Sequence, residues 1–202
     1  MAQHRCVTHF STITFVICHL PFTMSTTNPT TAAPRKKSWL RRILIVLLII
    51  AAGIQFIQPG KNNQSMDMTH DIATVVTVPD SVKGILKTAC YDCHSNFTQY
   101  PWYSSIQPIG WWLKDHIDEG KSHLNFQEFA LVKANDRYKT VALRQDHKLE
   151  EVAETVESGE MPMDSYTWIH AEARLTPAQK ASLISWVAAA RKELAAAANK
   201  AP

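Results

Sequence analysis

Glycine is scarce in this chain, six in 202 residues, and proline contributes only ten. Collagen-like and low-complexity chains are thereby excluded. Acid is missing from the first sixty residues, which hold Arg5, Arg35, Lys36, Lys37, Arg41 and Arg42 but no Asp or Glu. Residues 61–202 carry the other fifteen Lys and Arg against all eighteen acids. The larger part is therefore mildly acidic, and the overall charge of +3 gives no argument for a nucleic-acid partner. Strand-type alternation is missing after residue 79, which predicts an all-α domain. Cysteine is limited to four, two of them beyond residue 60, too few for a disulfide framework or a four-thiolate zinc site there. What is present is 46% hydrophobic and 19% charged, a globular balance.

One long apolar run exists, ILIVLLIIAAGIQFI from Ile43 to Ile57. Trp39 and Leu40 extend it, and Arg41 and Arg42 can snorkel. It predicts one N-terminal transmembrane helix over 39–58, short against the roughly 20 residues a span needs. A cleavable signal peptide with Ala51-Ala52-Gly53 as a weak site is the rival, and both readings export the remainder of the chain. The five cations between Arg35 and Arg42 should stay in the cytoplasm. Residues 1–38 are then a cytoplasmic segment. Its first 23 residues, ahead of Met24 and including Cys6 and Cys18, read as a mis-annotated start. Residues 59–78 read as a polar linker with a short extended piece at Ile72–Val78, 79–195 as the domain, and 196–202 as a tail.

The chemistry is concentrated in Cys90-Tyr91-Asp92-Cys93-His94, a C-x-x-C-H pentad. This is the attachment pattern of c-type haem. Thiols at i and i+3 share one helical face and can form thioethers to the two vinyl groups of one porphyrin. The adjacent imidazole of His94 is placed to bind iron as the proximal ligand. Three rivals stay open. A zinc site needs two further ligands, a redox pair needs a βαβ setting, and a disulfide within C-x-x-C is strained. The pentad sits on a helix begun by Pro79-Asp80-Ser81, with Val82, Ile85, Leu86 and Ala89 at helical spacing and Asn96 just past its end.

A second axial ligand has several candidates: Met66, Met68, Met161, Met163, His70, His116, His123, His147 and His170. Met161 in Gly159-Glu160-Met161-Pro162-Met163 is the best placed. Gly159 ends a helix marked by Leu149, Val152, Ala153 and Val156, and Pro162 keeps Met161 extended. A gap-filling Met is the plain alternative, and Met163, His116 and His147 follow behind. A terminal helix begins at Thr176 as N-cap, with Pro177 at N1 and Gln179 at N3. Between the pentad and Met161, aromatics abound. Trp102, Trp111 and Trp112 are possible walls of a haem pocket, with core packing as the competing role. Ile106–Glu119 reads as a helix ended by Gly120, and Asn125–Phe129 as a short capped one.

The run CYDCHSN-x-T-x-YPWY and the run GEMP-x-x-SY resemble the bacterial haem-binding domain family, membrane-anchored and cytochrome-c-like proteins with one C-x-x-C-H site. The resemblance spans about residues 72–192. It implies covalent haem c on Cys90 and Cys93, with His94 proximal and Met161 distal. The expected fold is a cytochrome-c-like all-α domain of four to five helices around one haem, preceded by the transmembrane helix. The expected function is single-electron transfer from the periplasmic face of a bacterial inner membrane, with unidentified redox proteins as partners. A haem-based sensor or peroxidase-like enzyme with an open sixth position is the alternative. The apo form is expected to fold poorly, because one haem adds much apolar surface to a modest core.

Overall fold

The computed structural model describes residues 36–199. Residues 1–35, with the alternative start at Met24 and Cys6 and Cys18, lie outside that range, as do 200–202. Residues from Arg42 onward form one compact unit.

Seven α-helices follow in order: α1 Lys36–Ile54, α2 Asp80–Ala89, α3 Tyr91–His94, α4 Ile109–His123, α5 Val141–Ser158, α6 Asp164–Thr167 and α7 Pro177–Ala198. Short 3-10 turns occupy Ile72–Thr74, Trp102–Ser105, Phe126–Leu131 and Ala171–Ala173. The described residues contain no strand, only an isolated bridge between Asn63 and Phe97. The all-α expectation holds. Four of the six helices after α1 have ten residues or more, and α3 and α6 are single turns.

Local signals account for the best-formed ends. Thr176 accepts from the Gln179 N–H, and the Gln179 side chain reaches back to the Thr176 backbone, so both halves of a capping box start α7. Thr140 caps α5, and Gly159 ends it with φ +81°, a left-handed conformation that favours glycine. The core is one buried cluster in which Leu149 and Val156 of α5 meet Leu183, Val187 and Leu194 of α7, with Phe126 and Phe129 beneath. At the rim, Arg191 grips Asp146 with two bonds of 2.8 and 2.9 Å and reaches Glu150 at 3.0 Å.

Four expectations need correction. First, 59–78 is not a free linker. Asp71, Ile72 and Val76 are buried, Trp186 Nε1 donates to the Thr77 carbonyl at 2.9 Å, and Glu193 accepts from the Thr77 N–H at 3.0 Å. Second, Ile72–Val78 is not extended but opens with a 3-10 turn whose N-cap is Asp71. Third, Gly120 does not end α4, which runs on to His123, because Gly120 lies where α4 passes close over Cys93 and His94. Fourth, the span expected over 39–58 is not seen. Among the described residues no helix is long and apolar enough to cross a membrane. α1 stops at Ile54, and Lys36, Lys37, Arg41 and Arg42 occupy its first two turns. Its uncharged part, Ile43–Ile54, measures about 18 Å at 1.5 Å per residue.

The foot of α1 is fixed to the start of α4. The Gln107 N–H donates to Gln55 Oε1 at 2.9 Å, and Gln55 Nε2 returns a bond to the Gln107 carbonyl at 3.1 Å. Gln107 Nε2 donates to Gln58 Oε1, and Gln58 Nε2 to the Ser105 carbonyl, each at 3.1 Å. Trp111 Nε1 donates to the Ile57 carbonyl at 3.0 Å.

Candidate functional site

The pentad spans a break between two helices. α2 ends at Ala89, and Cys90 adopts φ −127°, ψ −42° before the single turn of α3 begins. The two thiols therefore flank a kink instead of lining one regular helix. Tyr91 anchors the kink from beneath. Its ring stacks on Phe126 with centroids 5.6 Å apart, and its hydroxyl donates to Asp71 Oδ2 at 2.9 Å. Asp71 Oδ1 meanwhile accepts from the Ala73 N–H at 2.9 Å. Burial, followed by the Asp71 charge, pushes the Tyr91 hydroxyl well above its usual pKa.

Asp92 ties the pentad to α6. Its Oδ2 accepts from the Tyr166 hydroxyl at 2.8 Å, and its Oδ1 from the Gln99 N–H at 3.0 Å. Its carbonyl accepts from Thr98 Oγ1 at 2.6 Å. Asp92 thus links the pentad to the helix that follows Met161 and Met163.

His94 is oriented by its surroundings. Its Nδ1 stands 2.9 Å from the Leu124 carbonyl oxygen, which can only accept, so in the neutral ring Nδ1 carries the proton and Nε2 the lone pair. Burial holds the imidazole below its ordinary pKa, favouring the neutral form a metal requires. Phe126 meets the ring edge-on at 6.2 Å. On the other side α4 comes close: a Cβ on Gly120 would lie 3.1 Å from the Cys93 carbonyl oxygen and 3.4 Å from His94 Cε1.

Cys90 and Cys93 are half-buried and unbridged. Burial pushes Cys90 up to about 12 and Cys93 up to about 11. Both are therefore thiols at neutral pH in the free chain. Among the described residues no three His, Cys, Asp or Glu side chains cluster as a metal site would require. A zinc ion at the pentad would lack, among these residues, the further ligands it needs.

Cys93 opens onto a narrow apolar cleft of about 70 Å³. Ile109, Trp112, Leu113 and Ile117 form the α4 wall, and Met163, Tyr166 and Ile169 the opposite wall. Of the three tryptophans singled out by sequence, Trp112 lines this cleft. Trp102 is 81% exposed, and Trp111 is engaged in the Ile57 bond. Met161 lies instead in a neighbouring depression with Trp168, Arg174 and Lys180. His147 is drawn to Glu150 and Glu151 and stacked on Tyr138, away from the cleft. His116 lines the cleft, with Nδ1 2.8 Å from the Trp112 carbonyl. Met66, Met68, His70 and His123 are exposed.

Sequence reasoning gave little weight to a polar chain in the cleft. Tyr103 donates its hydroxyl toward His170 Nε2 at 3.1 Å, Glu172 accepts from His170 Nδ1 at 3.2 Å, and Tyr166 stacks on the imidazole at 4.5 Å. The i, i+4 spacing of Tyr166 and His170 was the available signal.

The chemistry of the residues present suits a porphyrin: two protonated thiols three residues apart, a neutral imidazole beside them, and an apolar cleft onto which Cys93 opens. No curated protein and no solved structure matches the chain. A family match, however, covers residues 49–189, enclosing the pentad, both walls of the cleft and most of α7. The chain belongs to the haem-binding domain family.

Proposed function

We propose that the protein carries one covalent haem c and passes single electrons. Cys90 and Cys93 would hold the macrocycle through thioethers, and His94 would offer Nε2 to the iron. When bound, the haem supplies a one-electron iron couple. This chain's residues supply the rest. Leu124 fixes the imidazole tautomer, Gly120 lets α4 close over His94, and Asp92 links α6 to the pentad through Tyr166. The observation that carries the reading is the imidazole pinned by a backbone carbonyl beside two unbridged, half-buried thiols.

The distal ligand is proposed to be Met161. A specific observation favours Met163 as a second reading: its side chain, not that of Met161, lines the cleft beside Cys93. Another observation favours an open sixth position serving a sensor or a peroxidase-like enzyme. His116 and the Tyr103–His170 pair face the same cleft.

Two measurements on protein co-expressed with a c-type maturation system test these readings. Mass spectrometry of the Cys90–His94 peptide is expected to show one added haem, and an unmodified peptide would overturn covalent attachment. A low-spin spectrum with the weak sulfur-to-iron charge-transfer band is expected, lost in Met161→Ala and kept in Met163→Ala. The reverse pattern moves the ligand to Met163. A high-spin ferric spectrum that shifts with cyanide favours the sensor or enzyme.

The protein is further proposed to be held at a bacterial inner membrane by the apolar turns of α1, with the haem domain on the periplasmic side and redox proteins as partners. Leu44, Leu48, Ile49 and Ile50 project from α1 without cover, and the cations at its start favour a cytoplasmic origin. Resistance of the full chain to alkaline extraction from membranes is the expected result.

A further inference from the structure

The segments that meet at the foot of α1 share an unusual composition. Residues 43–60 contain no Asp, Glu, Lys or Arg, and neither do residues 95–113. The second segment holds three of the chain's six tryptophans. The amide bonds from Gln55 and Gln58 to Gln107 and Ser105, with the Trp111 bond to Ile57, lock the two segments together. Around that lock, apolar side chains stand in the open. Phe56 is 90% exposed and Trp102 81%, and Ile57, Ile106 and Ile109 are exposed as well. Water gains nothing from such a surface, and single exposed apolar residues would need no explanation. Here five of them gather where an uncovered apolar helix ends.

We infer that this face is a lipid-contacting surface, seated in the headgroup layer of the membrane to which α1 is attached. The inference rests on the membrane attachment proposed above. Two features select lipid over a protein partner. The face continues directly from Ile43–Ile54, whose side chains already require an apolar phase. It also lacks charge and is rich in Trp, the composition of the interfacial belt. Ile109 belongs to the cleft wall as well, so the cleft mouth lies beside the bilayer.

Trp168 provides an internal control. It is as exposed as Trp102, 80% against 81%, but shares its surroundings with Arg174 and Lys180. The full haem-loaded chain is incorporated at one copy per lipid nanodisc, and side-chain oxidation by X-ray-generated hydroxyl radicals is read by mass spectrometry. Oxidation of Trp102 and of the Ile106–Ile109 peptide is expected to be suppressed, with Trp168 reacting freely. Equal oxidation of Trp102 and Trp168 in protein retained by the nanodisc overturns the inference and leaves the attachment standing. Protein that does not enter nanodiscs and is stripped from membranes by alkali overturns both. With a single copy in each disc, protection by a second copy is excluded.

Discussion

Among single residues, Tyr91 shows how the pentad is supported from outside itself. It is one of the two variable positions in C-x-x-C-H, yet it links the kink to a buried carboxylate and to Phe126. In Tyr91→Phe, Asp71 Oδ2 loses its donor while Asp71 stays 2% exposed. The expected cost is about 1–3 kcal/mol, read as a lower urea midpoint with an unchanged slope. Alkaline pH should have a related effect. Tyr91 and Tyr166 both ionise well above their usual range in the folded chain, burial being the first cause for each. The unfolded chain gives up these protons near pH 10, ahead of the folded one. Their contribution to stability is therefore complete below about pH 10 and declines as pH rises beyond it. Urea midpoints measured from pH 8 to 11 check the sign, and Tyr166→Phe should flatten the decline. The pentad was legible because its chemistry is local in sequence. The partners of Tyr91, Asp92 and His94 were not, because Asp71, Tyr166 and Leu124 lie 20, 74 and 30 positions away.

At the level of elements, two glycines in helices make opposite predictions. A Cβ at Gly84 in α2 meets nothing within 4 Å, so Gly84→Ala should stabilise by about 0.5–1 kcal/mol through reduced backbone entropy. A Cβ at Gly110 in α4 would sit 2.3 Å from the Ser104 carbonyl oxygen and 2.8 Å from Gln107 Nε2. Gly110→Ala must push the Trp102–Ser105 turn aside, at a cost of about 1–3 kcal/mol. Thermal melts of the two variants should move in opposite directions. Sequence anticipated the elements whose ends are set by neighbours: the Thr176 capping box, the Gly159 stop and the Asn125 cap of Phe126–Leu131. It erred where a distant segment decides. Gly120 carries the usual mark of a helix end, but here it marks where α4 passes over Cys93 and His94, and a Cβ there would crowd the Cys93 carbonyl at 3.1 Å. The 59–78 segment has a linker's composition, yet α7 captures it through Trp186 and Glu193.

For the whole molecule, the buried core and the cleft are separate regions. Leu149, Val156, Leu183 and Val187 pack with Ile72, Val82 and Phe129 without using the walls formed by Trp112, Met163 and Ile169. The expectation of a poorly folded apo chain is refined accordingly. Without haem, α5 and α7 should keep slow amide exchange, while α4 and α6 exchange fast and are slowed by haem loading. Hydrogen exchange with mass spectrometry distinguishes this pattern from uniform protection or uniform loss.

The glutamine joint at the foot of α1 has a consequence for encounter. Gln55, Gln58 and Gln107 satisfy one another's amides and leave little slack for the body to swing on its stalk. A cofactor housed beside that joint would keep a constant height and a constant tilt. Under the membrane attachment proposed above, partners would find it by lateral search in two dimensions, and their local concentration in the same sheet of lipid would govern turnover.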